Sequence, residues 1–250
     1  LAEALSRPAA LISLIHVSNE TGAINDADEI VRLRNKLCPS AAIHLDSVQA
    51  FGRLPVNFRQ SGIELLSGSG HKIGAPKGVG WLLTREGIRL APQIHGGGQQ
   101  RGLRSGTENP PFAAALARAL ELSLADLAGQ NRQVSILREV LLSGLTAAAI
   151  DYTILSPAEG VPNILMVAFA GLRGETMLHA LGDKGIFVST GAACSAKNKT
   201  ANPVLLAMRV RADLAESAIR ISLSAQNTIE EMHETARSIA GICRWLIRVK

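Results

Sequence analysis

Residues 67–78 read SGSGHKIGAPKG, a lysine behind a histidine, fenced by glycines and set between two apolar runs. A charge so placed either holds phosphate or does chemistry. The phosphate-loop pattern needs Gly-Lys followed by Ser or Thr, and neither His71-Lys72 nor Pro76-Lys77-Gly78 supplies it. A solvated lysine in a glycine-rich turn is the plain alternative. Asp46 weighs against that alternative, because an acidic residue at the end of an apolar strand is costly unless it meets a cation, and strand ends are where parallel sheets gather ligands. A protonated pyridine nitrogen is such a cation. Pyridoxal phosphate carries one, held by a carboxylate, while a lysine forms a Schiff base with its aldehyde and the ring serves as an electron sink. Asp46 and Lys72, each after its own strand, suit the two ends of one ring. Gln49, about one helical turn past Asp46, suits the ring hydroxyl, and Ser69 and His71 beside the lysine suit the phosphate. The glycines would let the backbone come close to the cofactor.

Cys194 is the second reactive candidate. It sits in a run of small residues, Gly191-Ala192-Ala193-Cys194-Ser195-Ala196, with Lys197 and Lys199 close behind. Nearby lysines favour the thiolate, which is the attacking form; an incidental exposed thiol is the competing reading. Cys38 ends a helical pattern and Cys243 lies on an apolar helical stripe, so both read as structural. No cysteine pair and no histidine spacing suits a metal, and the cysteine usage does not suit a secreted disulfide framework. His95-Gly96-Gly97-Gly98 resembles an oxyanion loop, yet there is no Gly-x-Ser-x-Gly elbow for it to serve.

The elements that must position these residues follow from hydrophobic patterning. Apolar runs at 11–17, 41–46, 63–66 and 79–83 read as short buried strands. Between the first two lies a helix capped by Asn25 or Asp26, with Ile30, Val31, Leu33 and Leu37 as its apolar positions and Pro39 as its stop. Strands alternating with helices predict an α/β sheet with parallel strands. After a loop at 86–111 a helical stretch runs from about 112 to 148 with a break near Gly129, followed by strands at 152–155 and 163–169, a helix at 175–182, a strand at 186–188, a loop at 189–202 and a strand at 219–223. The last helix starts with a capping box, Thr228 and Glu231. The composition shift near 128 predicts two domains, 1–127 and 128–250, the second α+β.

Composition narrows the function classes. The chain has 250 residues, 47% of them apolar, enough for cores of useful size. No apolar run approaches the ~18 residues that would span a bilayer, and no signal-peptide pattern opens the chain, so the reading is a cytoplasmic protein without a membrane. Net charge is +5, but the basic residues are scattered and aromatics make up only 3%, so no nucleic-acid surface stands out. An anionic cofactor or a mildly acidic partner suits this balance better. Leu1 in place of Met, with a strand pattern soon after it, suggests the later part of a longer protein.

The runs HVSNETG, HLDSVQAFGRLPVNF, SGSGHKIGAPKGVG, HGGGQQRGLRSGTEN and STGAACSAKNK stand in the order and spacing of the cysteine desulfurases of the NifS/IscS type, grouped with the class V aminotransferases. The chain resembles that family from about residue 11 to about residue 240. The resemblance implies a fold-type I pyridoxal phosphate enzyme: a partial large domain with a mainly parallel sheet, and a smaller α+β domain carrying the cysteine loop. It implies that Lys72 carries the cofactor, that Asp46 pairs with the ring nitrogen, that Asn19 and Gln49 lie near the ring hydroxyl, and that Ser69 and His71 take the phosphate. Thr107 resembles the threonine that reaches a neighbouring subunit's phosphate, which implies a homodimer. Arg220 matches the arginine that binds the substrate carboxylate. The implied reaction converts L-cysteine to alanine and leaves sulfur on Cys194 as a persulfide, for an acceptor such as an iron-sulfur scaffold protein. Selenocysteine lyase, an aminotransferase on the same scaffold, and a non-catalytic partner-binding remnant are the alternatives. The chain departs from the family pattern at Met166, at Thr200-Ala201 and at Ser224-Ala225-Gln226. In relatives more than a hundred residues precede its first position, with a phosphate loop and a ring-stacking histidine.

Overall fold

The structure, a computed structural model, describes residues 1–190 and 202–248. The chain separates into two compact units, one formed by 1–17 with 25–127 and the other by 18–24 with 128–250.

The first unit is built on four strands in the order β1 (Leu11–Ile15), β2 (Ala42–Asp46), β3 (Leu65–Ser69) and β4 (Gly80–Thr84). β1, β2 and β3 are parallel, with Ile15 opposite Asp46 and Asp46 opposite Ser67. β4 runs antiparallel, so the sheet is mainly parallel, as expected, with one antiparallel edge. The cause is the link from Gly70 to Val79, too short for the crossover of a dozen or more residues that a parallel neighbour needs. The crossover from β1 to β2 carries α1 (Ala27–Leu37), whose N-cap is Asp26: its side chain accepts from the Asp28 and Glu29 amides. α1 lays Ile30 and the following Cys38 onto Ile12, Ile43, Leu45 and Ile63, all buried. Fully burying Ile43 or Leu45 stabilises by roughly 1.5–3 kcal/mol each. Arg34 on α1 is also buried, donating from Nη1 to Ala41 O (2.8 Å) and Glu64 Oε1 (3.0 Å) and from Nη2 to Gly62 O (3.0 Å), while Glu64 Oε2 accepts from the Ile43 amide (2.7 Å). The opposite face of the sheet is open, with Leu11 53%, Ile15 43% and Leu82 48% exposed. α2 (Pro110–Ala125) follows, capped by Asn109 Oδ1 on the Phe112 amide with Pro110 at its first position.

The second unit holds an antiparallel sheet in the order β5 (Thr153–Ile154), β6 (Ile164–Ala168) and β7 (Ala218–Ser222). β6 is buried on both faces. Its Leu165 and Val167 meet α3 (Leu127–Ala147), α4 (Gly174–Gly182) and α7 (Ile229–Arg248) through Leu137, Leu141, Met177, Leu181 and Ile239. Its Met166 and Ala168 meet the short helices α5 (Pro203–Ala207) and α6 (Ala212–Ser217) through Leu205 and Ala215. The strand expected at 186–188 does not form: Phe187 is 88% exposed, and only an isolated bridge joins Ser189 to Arg220. The capping box of α7 does form, Thr228 N donating to Glu231 Oε2 (3.1 Å) and Glu231 N to Thr228 Oγ1 (3.2 Å). No helix among the described residues is long and apolar enough to cross a membrane.

Candidate active site

Asp46 and Lys72 lie at the carboxyl edge of adjacent parallel strands. Asp46 ends β2, and Lys72 ends the 3-10 turn Gly70–Lys72 into which β3 runs directly. Ligands of α/β sheets gather at such an edge, where strands end and loops diverge. Asp46 is half-buried and its Oδ1 accepts from the Val48 amide (3.0 Å), which fixes the carboxylate's direction. Lys72 is exposed. Gln49 follows in the turn after β2, half-buried, with its carbonyl accepting from Arg53 Nη1 (3.0 Å). Ser69 Oγ and His71 Nδ1 are hydrogen-bonded to each other at 2.8 Å, so that of the histidine's two ring nitrogens only Nε2 lies outside this pair. Thr107 is exposed in the loop that leads to α2.

Two arrangements at this edge were not read from the sequence. His16, just past β1, donates its amide to Asp46 O (2.8 Å) and places Nδ1 3.1 Å from Ser47 Oγ. Burial pushes the imidazole below its ordinary range, and the nearby Asp26 charge opposes that push without reversing it. A histidine inside the apolar run LISLIHV was the available signal. On the sheet face that carries Asp46, Ser13 Oγ, both nitrogens of His44 and Ser67 Oγ form a ladder across β1, β2 and β3, at 2.8 and 3.1 Å.

Two of the glycines around Lys72, Gly68 and Gly70, are also required by packing. Gly68 is paired with Trp81 across β3 and β4, and a Cβ on Gly68 would sit 2.1 Å from Trp81 Cζ2. A Cβ on Gly70 would be 2.9 Å from both Ala75 Cβ and Leu116 Cδ1. The close approach they permit is that of the protein's own side chains. The indole is held in turn by Phe51, edge to face at 4.8 Å and 74°.

Arg220 and Asn19 belong to the second unit. Arg220 lies on β7 opposite Met166, and its Nη1 donates to Asn19 O (2.8 Å). Its Nε is buried with no hydrogen-bond partner among the described residues, and an unsatisfied buried donor costs about 1–3 kcal/mol. The Asn19 side chain is on an exposed residue. Cys194, with Lys197 and Lys199, lies outside the described residues. Cys38 and Cys243 are buried, and burial pushes the Cys243 thiol up to about 11, which removes it as a nucleophile near neutrality. No group of three or more His, Cys, Asp or Glu suited to a metal occurs among the described residues.

Comparison with known proteins joins this geometry to a family. The family model for aminotransferase class-V matches residues 1–234. The chain belongs to the class-V aminotransferase family. It is 38% identical over 240 residues to a cysteine desulfurase of Gluconacetobacter diazotrophicus, and 35% identical over 249 residues to the cysteine desulfurase NifS of Azotobacter vinelandii. These alignments cover 96% and 99% of this chain but 60% and 61% of the relatives, so the chain spans about three-fifths of the length of the curated relatives it matches. Among solved structures, a NifS-like protein superposes with a TM-score of 0.88 at 36% identity, covering 98% of this chain and 65% of that one. A NifS-like protein of Rickettsia africae gives 0.85 at 30% identity, covering 96% and 64%. The fold of this class-V chain is therefore the α/β fold of the NifS-like, fold-type I enzymes.

Proposed function

We propose that the protein is a cysteine desulfurase using pyridoxal phosphate, converting L-cysteine to L-alanine and passing the sulfur to an acceptor. The observation that carries this reading is the placement of Asp46 and Lys72 at the carboxyl ends of adjacent parallel strands, in a class-V chain related to desulfurases.

The residues fit the cofactor. Asp46, oriented by the Val48 amide, has a second carboxylate oxygen for a cationic ring N–H. Lys72 Nζ is the amine for the aldehyde, His71 Nε2 and the Ser69 hydroxyl serve the phosphate, and Gln49 and Asn19 serve the ring hydroxyl. When bound, pyridoxal phosphate supplies an electron sink for the charge left when the substrate's Cα proton is removed. Lys72 Nζ takes that proton, as a general base working at close range. Arg220, with Nη1 held by Asn19 O, presents its guanidinium to the substrate carboxylate, a contact that orients Cα. The Cys194 thiolate attacks the sulfur of L-cysteine; the carbon–sulfur bond breaks with its electron pair left on the carbon side. A proton delivered to Cβ and the return of a proton to Cα complete alanine, and Cys194 holds the persulfide.

In this reading residues 1–127 are part of the large cofactor-binding domain and 128–250 the smaller domain carrying Cys194. The assembly is a homodimer in which Thr107 reaches the neighbouring subunit's phosphate. The protein works in the cytoplasm, and its acceptor is a protein such as an iron-sulfur scaffold. The test is direct. With added pyridoxal phosphate the chain should develop a visible absorbance band that borohydride bleaches and fixes on Lys72, and should release sulfide and alanine in equal amounts from L-cysteine with a thiol present. Cys194→Ala retaining full sulfide release refutes the persulfide route, and absence of the band at any cofactor concentration refutes the enzyme reading for this chain.

A further inference from the structure

The turn Ser18–Ile24 is held within the second unit by side chains from two separate elements. Ser18 Oγ accepts from the amides of Glu20 (3.3 Å) and Thr21 (3.2 Å), and Gly22 closes the turn onto Ser18 O (3.0 Å). The peptide between Asn19 and Glu20 is therefore bonded at both ends: its N–H goes to Ser18, and its C=O accepts from Arg220 Nη1 on β7. The Glu20 side chain, one bond away from that peptide, accepts from Asn202 Nδ2. Asn202 is buried and does two things at once. Its Oδ1 caps α5, accepting from the amides of Val204 (2.8 Å) and Leu205 (3.3 Å), which leaves Nδ2 aimed at the Glu20 carboxylate. Capping alone would be met by Ser, Thr or Asp. Asparagine gives the helix an acceptor and the carboxylate a donor from two separate atoms of one short side chain, with Nδ2 reaching where a hydroxyl on Cβ would fall short.

We propose that the Glu20–Asn202 hydrogen bond is a positioning contact, which together with the Arg220–Asn19 bond clamps the 18–24 turn and so sets the Arg220 guanidinium and the Asn19 side chain for their ligands. Neither Glu20 nor Asn202 touches the reacting atoms; they act through the peptide that Arg220 holds. The inference rests on the desulfurase reading for what Arg220 and Asn19 receive, and on hydrogen bonds of the chain itself for the clamp.

The test compares the pyridoxal-phosphate-loaded parent with Asn202→Ser, Asn202→Asp and the double variant Glu20→Gln/Asn202→Asp. All three keep a side chain able to cap α5, so the melting temperatures of Asn202→Ser and the double variant should stay close to the parent's, while Asn202→Asp, which buries a second carboxylate, should melt lower. In Asn202→Ser the link is lost, and in Asn202→Asp two carboxylates meet. Both should speed amide hydrogen exchange at Glu20 and Thr21 roughly tenfold, the scale of one charge-assisted hydrogen bond, and should raise KM for L-cysteine more than they lower kcat. In the double variant donor and acceptor are exchanged, and exchange rates and KM should return towards the parent. Unchanged exchange and KM in Asn202→Asp, or a double variant as impaired as the single one, overturns the proposal. If the parent releases no sulfide, the desulfurase reading falls, and hydrogen exchange alone decides the clamp: recovery on exchanging donor and acceptor supports it, and no change in the single variants overturns it.

Discussion

Gly68→Ala separates two explanations of why glycine stands before Lys72. The backbone of Gly68 lies outside the left-handed region, so alanine can adopt it, and the narrower unfolded ensemble would favour alanine by about 0.4–1 kcal/mol if there were room. There is none: the added Cβ would lie 2.1, 2.4 and 2.7 Å from Cζ2, Cε2 and Cη2 of Trp81. The indole is rigid and is seated edge to face against Phe51, so it cannot give way as the tip of a long side chain would. Overpacking of this kind costs about 1–3 kcal/mol, which outweighs the entropic gain. For a chain of this size a net loss of about 1–2 kcal/mol lowers Tm by roughly 2–8 °C. The assay is thermal unfolding of the chain without cofactor, repeated in a Trp81→Leu background where the ring is gone and Gly68→Ala should cost little. If glycine is there for the cofactor, the chain without cofactor will melt at the same temperature with alanine and lose only affinity for pyridoxal phosphate. That result, or an equal loss in the Trp81→Leu background, refutes the packing argument.

Arg220→Lys keeps the charge but loses the fork that bonds Asn19 O and a carboxylate together, so KM for L-cysteine should rise roughly tenfold or more with a smaller change in kcat, read by steady-state kinetics. His16 is pushed down by burial, so the folded state resists its protonation; that stability is present above about pH 6.5 and is lost as pH falls through the lowered folded value. His16→Asn should flatten the fall in urea midpoint between roughly pH 7 and 5. Cys243 is shifted the other way, from 9.0 to about 11: its contribution is complete below about pH 9 and is lost as pH rises through about 11. Cys243→Ser should reduce the alkaline fall in stability. In the native parent Cys243 should also resist a disulfide reagent at neutral pH until the chain is unfolded.

What the sequence made legible follows from which forces are local. Ile12, Ile43 and Leu45 alternate with more exposed neighbours because one sheet face packs on α1, and Asp26 announces that helix by a side chain that bonds its own first turn. Alternation cannot tell a parallel from an antiparallel neighbour, and the direction of β4 had to be read from the shortness of the Gly70–Val79 link. The run at 186–188 has strand composition, yet Phe187 is exposed, and among the described residues the nearest pairing is the bridge from Ser189 to Arg220. α5 was not expected from the sequence: Asn202 caps it and Pro203 stands at its first position, but five residues are too few for a periodicity to declare itself.

At the candidate site the residue types were legible and their partners were not. Ser69 and His71 read as two independent phosphate donors, whereas the turn after β3 brings their side chains within 2.8 Å, so the two are hydrogen-bonded to each other. Asn19 and Arg220 read as independent ligand residues, whereas a backbone carbonyl joins them. Gly68 and Trp81 stand in different strands and share no local pattern. Only the antiparallel register, which places them directly opposite, shows that this glycine makes room for an indole. Contacts fixed by register are pairings between distant positions, and no window along the chain contains both partners.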